Sequence, residues 1–87
     1  MSKPDRKPKY PLVLVEWVDS TVDGGWNDVS GYMERECLTM QSVGWMTVKD
    51  ARRVQVVQSH SWSQNDKCSD AITIPRGCVK RIRKLKV

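Results

Sequence analysis

The sequence of 87 residues contains no phenylalanine and no long apolar run. Its core must therefore be built from four tryptophans, four methionines and the aliphatic residues. No segment reaches the roughly 18 apolar residues of a membrane-spanning helix, so we predict no membrane partner. The basic N-terminus is not followed by the apolar stretch of a signal peptide, which predicts a cytoplasmic protein. A chain of this length forms one small domain with a limited core.

Histidine and cysteine, which supply many metal ligands and nucleophiles, are scarce. His60 is the only histidine, and it lies in a serine-rich polar segment that gives no reason to expect a catalytic pair. Cys37, Cys68 and Cys78 are odd in number and widely spaced, whereas structural zinc is held by closely spaced ligand pairs. We therefore predict no metal, no cofactor, no disulfide framework and no enzymatic activity.

Acidic residues are absent from the C-terminal segment. Residues 76–87 carry a charge of +6, whereas residues 16–36 carry −5, so the net charge of +5 is unevenly distributed. A basic run can bind nucleic-acid phosphates, but it can also protect the exposed edge of a sheet from aggregation. The basic residues of this segment are Arg76, Lys80, Arg81, Arg83, Lys84 and Lys86.

The apolar pattern of the rest of the chain predicts an all-β fold. Residues 12–18 are β-branched and aromatic and predict a first strand near the middle of a sheet. Residues 37–48 predict a second strand that bends at Gly44, because glycine within a strand marks a bulge or a corner. A polar turn separates this strand from a third one over 53–59, and residues 70–74 predict the fourth.

Pro75 ends the fourth strand, because proline has no amide hydrogen for a ladder. We predict a short 3-10 turn over 77–79 and a final basic strand; the three-residue spacing of Val79, Ile82 and Leu85 leaves a helix as the alternative. Residues 1–11 contain three prolines and predict a disordered basic arm before a domain over 12–87. The predicted core comprises Val13, Val15, Leu38, Val54, Val56, Ile72, Ile74 and Val79.

The first two strands are joined by a long acidic loop over residues 19–35. Asp23-Gly24-Gly25 is a strong turn signal within it. Trp26 and Tyr32 either fold the loop back onto the domain or stand exposed to meet a partner. The length of the loop favours packing, because long loops in compact domains need either internal contacts or a function.

This order of elements resembles the SH3-like barrel, a small five-stranded fold. The matching positions are Trp17, the loop acids Asp19 and Asp23, Trp45, Pro75 and Val79-Lys80. The resemblance implies a five-stranded SH3-like β-barrel with a long acidic loop after the first strand and a 3-10 turn before the last. Cys78 stands where the peptide-binding members have a groove tyrosine, which argues against a proline-rich ligand.

Four further motifs are similar to those of small phage-encoded and prophage-encoded proteins of unassigned function. These motifs are Trp17-Val18-Asp19-Ser20, Ser42-Val43-Gly44-Trp45, Gln58-Ser59 and Ile74-Pro75-Arg76-Gly77-Cys78-Val79. Together they span most of residues 12–85. The resemblance implies an SH3-like fold and a phage context, with the host cytoplasm as location, and it implies no activity.

Two binding functions are compatible with these features. The first is a protein-interaction module for an unidentified host or phage protein, because exposed aromatic residues are frequent interface anchors. Its predicted surface comprises Trp17, Asp19, Asp23, Trp26, Tyr32 and Trp45. The alternative is a small barrel that binds nucleic acid through its basic residues. That surface would comprise Arg76, Lys80, Arg81, Arg83, Lys84 and Lys86, together with the N-terminal arm.

Overall fold

The computed structural model describes residues 8–61, 63 and 65–87. Of the predicted disordered arm over residues 1–11, residues 1–7 lie outside this part of the chain. The described residues form an all-β structure, a five-stranded antiparallel sheet in the order β4-β3-β2-β1-β5. The strands are β1 (Leu12–Asp19), β2 (Leu38–Lys49), β3 (Arg53–Ser61), β4 (Lys67–Pro75) and β5 (Val79–Lys84). A single turn of α-helix, α1 (Val29–Tyr32), lies between β1 and β2, and a 3-10 helix (Arg76–Cys78) joins β4 to β5.

Strand β1 lies between β2 and β5 and is apolar on both faces. Its odd-numbered side chains, Val13, Val15 and Trp17, are buried in the core, whereas the even-numbered ones are half-buried on the opposite face. The core is completed by Val54 and Val56 from β3 and Ile74 from β4. Alternation along each strand therefore directs one face of the sheet into the core.

Most of the predicted core is confirmed, but the prediction that Leu38 belongs to it is wrong. Its side chain is 53% exposed, because Leu38 pairs with Asp19 at the last register position of the β1–β2 ladder. Beyond that pair the chain leaves the sheet, so no neighbouring strand covers the leucine. Ile72 and Val79 are partly buried and pack against the edge of the core.

The last strand shows why a three-residue spacing need not indicate a helix. Val79 pairs with Trp17, and Ile82 pairs with Val15, with a bulge between them. The bulge adds one residue to β5, so both side chains reach the core although they are three positions apart. The backbone amide of Arg76 donates to the carbonyl oxygen of Arg52 at 2.9 Å, which fixes the 3-10 helix against the β2–β3 turn.

Within the described part of the chain, the model contains no helix long and apolar enough to cross a lipid bilayer.

Candidate functional site

The longest connection in the described structure, residues 20–37, leaves β1 and returns to β2; we call it the β1–β2 connection. Its two ends are held together, because Asp19 and Leu38 pair directly in the ladder. Further out, the Arg35 guanidinium lies 3.6 Å from the Asp23 carboxylate. Both of these side chains are partly exposed, so this ion pair adds only a small amount of stability. The Asp19–Leu38 pair and the Asp23–Arg35 ion pair therefore link the two sides of the connection.

The tip of the connection is shaped by Gly25 and Tyr32. Gly25 has a φ of 97°, a backbone conformation that glycine adopts without steric cost. The Tyr32 hydroxyl, at the end of α1, donates to the Gly25 carbonyl oxygen at 2.6 Å. This hydrogen bond fixes the turn before Trp26. Tyr32 is therefore a brace for the tip, with its ring half-buried.

Trp26 projects from this tip and is fully exposed, which contradicts the expectation that it packs onto the domain. The connection closes on itself through Tyr32 and Asp23, so the tryptophan is not needed to hold it. Other large apolar side chains of the connection are also largely exposed: Val22, Val29 and Met33. The connection therefore exposes four large apolar side chains to solvent.

The connection is also acidic. Asp23, Asp28, Glu34 and Glu36 belong to it, and Arg35 is its only basic residue. All five of these residues are exposed. Asp19 accepts a hydrogen bond from the Ser20 amide at the point where the connection begins. The connection therefore exposes apolar side chains together with a net negative charge.

Trp17 and Trp45 do not belong to this surface. Trp17 is only 8% exposed, and its indole Nε1 donates to the Ser42 hydroxyl at 3.0 Å inside the domain. Trp45 pairs with Leu12, at the end of β1 remote from the connection, and on the opposite face from Trp17. The structure therefore places Asp23, Trp26 and Tyr32 in the connection and Asp19 at the end of β1 from which the connection begins, and it leaves the other two predicted residues outside.

The predicted basic residues differ in their exposure and in their contacts. Arg76 is half-buried with its Nη1 atom enclosed and unpaired, so it is not presented to a ligand. Arg81 lies 4.0 Å from the Glu16 carboxylate on the neighbouring strand. The remaining side chains are exposed along β5 and the residues after it: Lys80, Arg83, Lys84 and Lys86.

A second cluster, at the tip of the β3–β4 hairpin, was not predicted from the sequence. Asp66 Oδ2 accepts hydrogen bonds from Lys9 Nζ at 2.7 Å and from the Tyr10 hydroxyl at 2.8 Å. His60 Nε2 donates to the other carboxylate oxygen, and the Tyr10 and His60 rings meet edge to face, with centroids 5.1 Å apart. The one signal in the sequence was the Asn65-Asp66 dipeptide, which indicates a tight turn. Both residue types tolerate a positive φ, and both adopt it here.

The electrostatics of this hairpin cluster follow from its hydrogen bonds. The three donors Lys9, His60 and Tyr10 hold the pKa of the Asp66 carboxyl far below its usual range. The same carboxylate raises the pKa of Lys9 and of Tyr10, because it accepts a hydrogen bond from the protonated form of each. The cluster ties residues 9 and 10 to the hairpin and is a structural tether.

The described residues contain no group of three or more His, Cys, Asp or Glu side chains arranged to hold a metal ion. No protein-family model, no curated protein and no solved structure matches the chain.

Proposed function

We propose that the chain is a small non-enzymatic protein-interaction module that binds through the β1–β2 connection. The observation that carries the proposal is the complete exposure of Trp26 at a tip that is braced from behind by Tyr32. The hydrogen bond from Tyr32 holds the backbone next to the tryptophan, the indole can bury a large area on binding, and tryptophan is enriched among interface anchors. The net negative charge of the connection favours a partner that carries basic residues beside an apolar segment.

We also propose that the sheet is that of an SH3-like barrel. The strand order, the long connection after β1 and the 3-10 helix between the two edge strands support this proposal. The phage context and the host cytoplasm are further parts of it, and they are supported by the motifs shared with small phage-encoded proteins. Fold resemblance alone assigns no activity.

Capture of partners from a cell lysate by the immobilised protein tests the proposed interaction module. Trp26→Ala should weaken capture of a host or phage protein by at least about 2 kcal/mol, the loss that defines an interface anchor. The control is Val87→Ala, which truncates an apolar side chain that is also largely exposed but lies outside the connection. Equal loss with both variants, or retention with Trp26→Ala, would remove the connection as the site.

The exposure of Lys80, Arg83, Lys84 and Lys86 favours nucleic-acid binding as the second candidate. Nuclease treatment of the lysate separates the two candidates, because a nucleic-acid bridge is destroyed and a protein contact is not. Binding of a defined oligonucleotide should then fall steeply with added salt, since each phosphate contact releases counterions. Reversal of Arg83 and Lys84 to glutamate should abolish it, while Trp26→Ala should leave it unchanged.

A further inference from the structure

The face of the sheet opposite the core carries a second group of apolar side chains. Leu12 pairs with Trp45, and Leu14 pairs with Val43, so the four side chains share that face. Val43 is 57% exposed and the other three are half-buried. None of the four belongs to the core cluster or its packed neighbours. We call this group the second-face patch.

Two basic side chains lie beside the second-face patch. Arg83 pairs with Leu14 in the β1–β5 ladder, and Arg81 pairs with Glu16, so both arginines project from the same face as the patch. Glu16 partly offsets Arg81 at a separation of 4.0 Å. Arg83 is exposed and pairs with no acidic side chain among the described residues. The patch is therefore apolar with a positive margin.

The patch and the β1–β2 connection have complementary compositions. The connection exposes Trp26 and Met33 together with four carboxylates, and the patch presents Val43 and Trp45 on the same face as Arg83. Apolar centres gain free energy from mutual burial, and opposite charges at the margins fix the orientation of the contact.

Within one molecule these two surfaces are apart. The connection begins beyond Asp19, at one end of β1, whereas Leu12 and Trp45 lie at the other end. Seven residues of strand separate the ends, which is about 23 Å at about 3.3 Å per residue. Trp26 is fully exposed, so it does not pack on the patch of its own molecule. A second molecule can place its patch against the connection.

We propose that the partner of the β1–β2 connection is the second-face patch of another copy of this chain. The proposal rests on the proposed function, because it names the partner of the same connection. The contact is heterologous: each copy contributes a different surface and keeps one of each free. Copies joined in this way form a ring or an open filament, depending on the rotation between them.

The experiment uses sedimentation velocity of the full chain over a range of concentrations. The wild-type protein should form species larger than dimers, and added salt should shift them toward monomer because the marginal charges are exposed. Trp26→Ala should raise the concentration needed for association by about thirtyfold or more, which corresponds to the loss expected for an anchor residue. Val43→Glu should do the same from the other surface.

Matched controls separate the surface from the fold. Val43→Thr keeps the β-branched shape and adds no charge, so it should weaken association far less than Val43→Glu. Arg83→Glu reverses the positive charge beside the patch and should weaken association. Lys67→Glu makes the same charge change at the exposed hairpin tip, away from the patch, and should leave association unchanged. Circular dichroism of each variant establishes that it is folded.

Mixing the two interface variants gives the decisive outcome. Trp26→Ala retains an intact patch and Val43→Glu retains an intact connection, so an equimolar mixture should form dimers and nothing larger. A wild-type protein that stays monomeric at millimolar concentration would overturn the proposal. So would a symmetric dimer that both variants leave intact. If the monomer still captures another protein through Trp26, only the choice of partner is wrong; if Trp26→Ala changes no binding, the proposed function fails as well.

Discussion

The carbonyl oxygen of Val57 lies 2.6 Å from the point that a β-carbon on Gly44 would occupy. Strand β2 can therefore approach β3 this closely only with glycine at position 44. The obstructing atom belongs to the backbone of β3, so it cannot move aside as a flexible side chain would. The close approach explains why a glycine interrupts the long second strand.

Gly44→Ala should consequently destabilise the protein, by about 1–3 kcal/mol as for other overpacked sites. Alanine would otherwise be the better residue in a strand, so the sign of the change isolates the steric effect. Chemical denaturation measures it. Gly24→Ala is the control, because no atom lies within 4 Å of its added β-carbon, and it should be neutral or slightly stabilising.

Substitution by alanine should reduce folding stability strongly at Trp17 and hardly at all at Trp26. Trp17 is buried and its indole is hydrogen-bonded, so Trp17→Ala should cost about 3–5 kcal/mol of folding stability. Trp26 is fully exposed, so Trp26→Ala should change stability by no more than about 0.5 kcal/mol. Thermal or urea unfolding of the two variants checks both values. Unfolding of the protein by Trp26→Ala would show that the tryptophan packs after all.

The three thiols should fall into two classes. Cys37 and Cys68 are exposed and Cys78 packs against the core, and all three are free. A thiol reagent should therefore label two cysteines quickly and the third only slowly or after unfolding. Melting curves with and without reductant should coincide. Fast labelling of all three thiols in the folded protein would contradict the position of Cys78.

The strands were predictable because local chemistry determines them. Runs of β-branched residues define β1 and β3, Pro75 ends β4, and Gly44 marks the close approach in β2. The exposure of Trp26 was not predictable. It depends on a hydrogen bond between Tyr32 and Gly25, and neither residue reveals by its type that the connection closes on itself.

Contacts between distant segments were equally hidden. Asp66 meets Lys9 and Tyr10, which precede it by 57 and 56 positions. No local pattern predicts such a pair, because the fold of the sheet brings the segments together. The second-face patch was partly visible in the sequence, since β1 is apolar at consecutive positions. What could not be seen is that the partners of Leu12 and Leu14 are also apolar.

The Asp66 tether should weaken in acid. Its carboxyl has a folded-state pKa held well below the usual range, so its ionised form stabilises the contacts from the unfolded value of about 3.9 up through neutral pH. As the pH falls from there toward the depressed folded value, protonation removes the acceptor of the hydrogen bonds from Lys9, Tyr10 and His60. The stabilisation is therefore constant near neutral pH and is lost in acid.

Asp66→Asn is the matched variant for this tether. Asp66 has a φ of 64°, a conformation that asparagine tolerates well, so the substitution removes the charge without straining the turn. Backbone amide shifts of Lys9 and Tyr10, followed by NMR from neutral pH into acid, should show a transition in the wild type that the variant lacks. The Tyr10 phenol should also ionise at a lower pH in the variant, because the carboxylate that raises its pKa is gone. Identical acid profiles for the two proteins would show that Asp66 does not hold the arm.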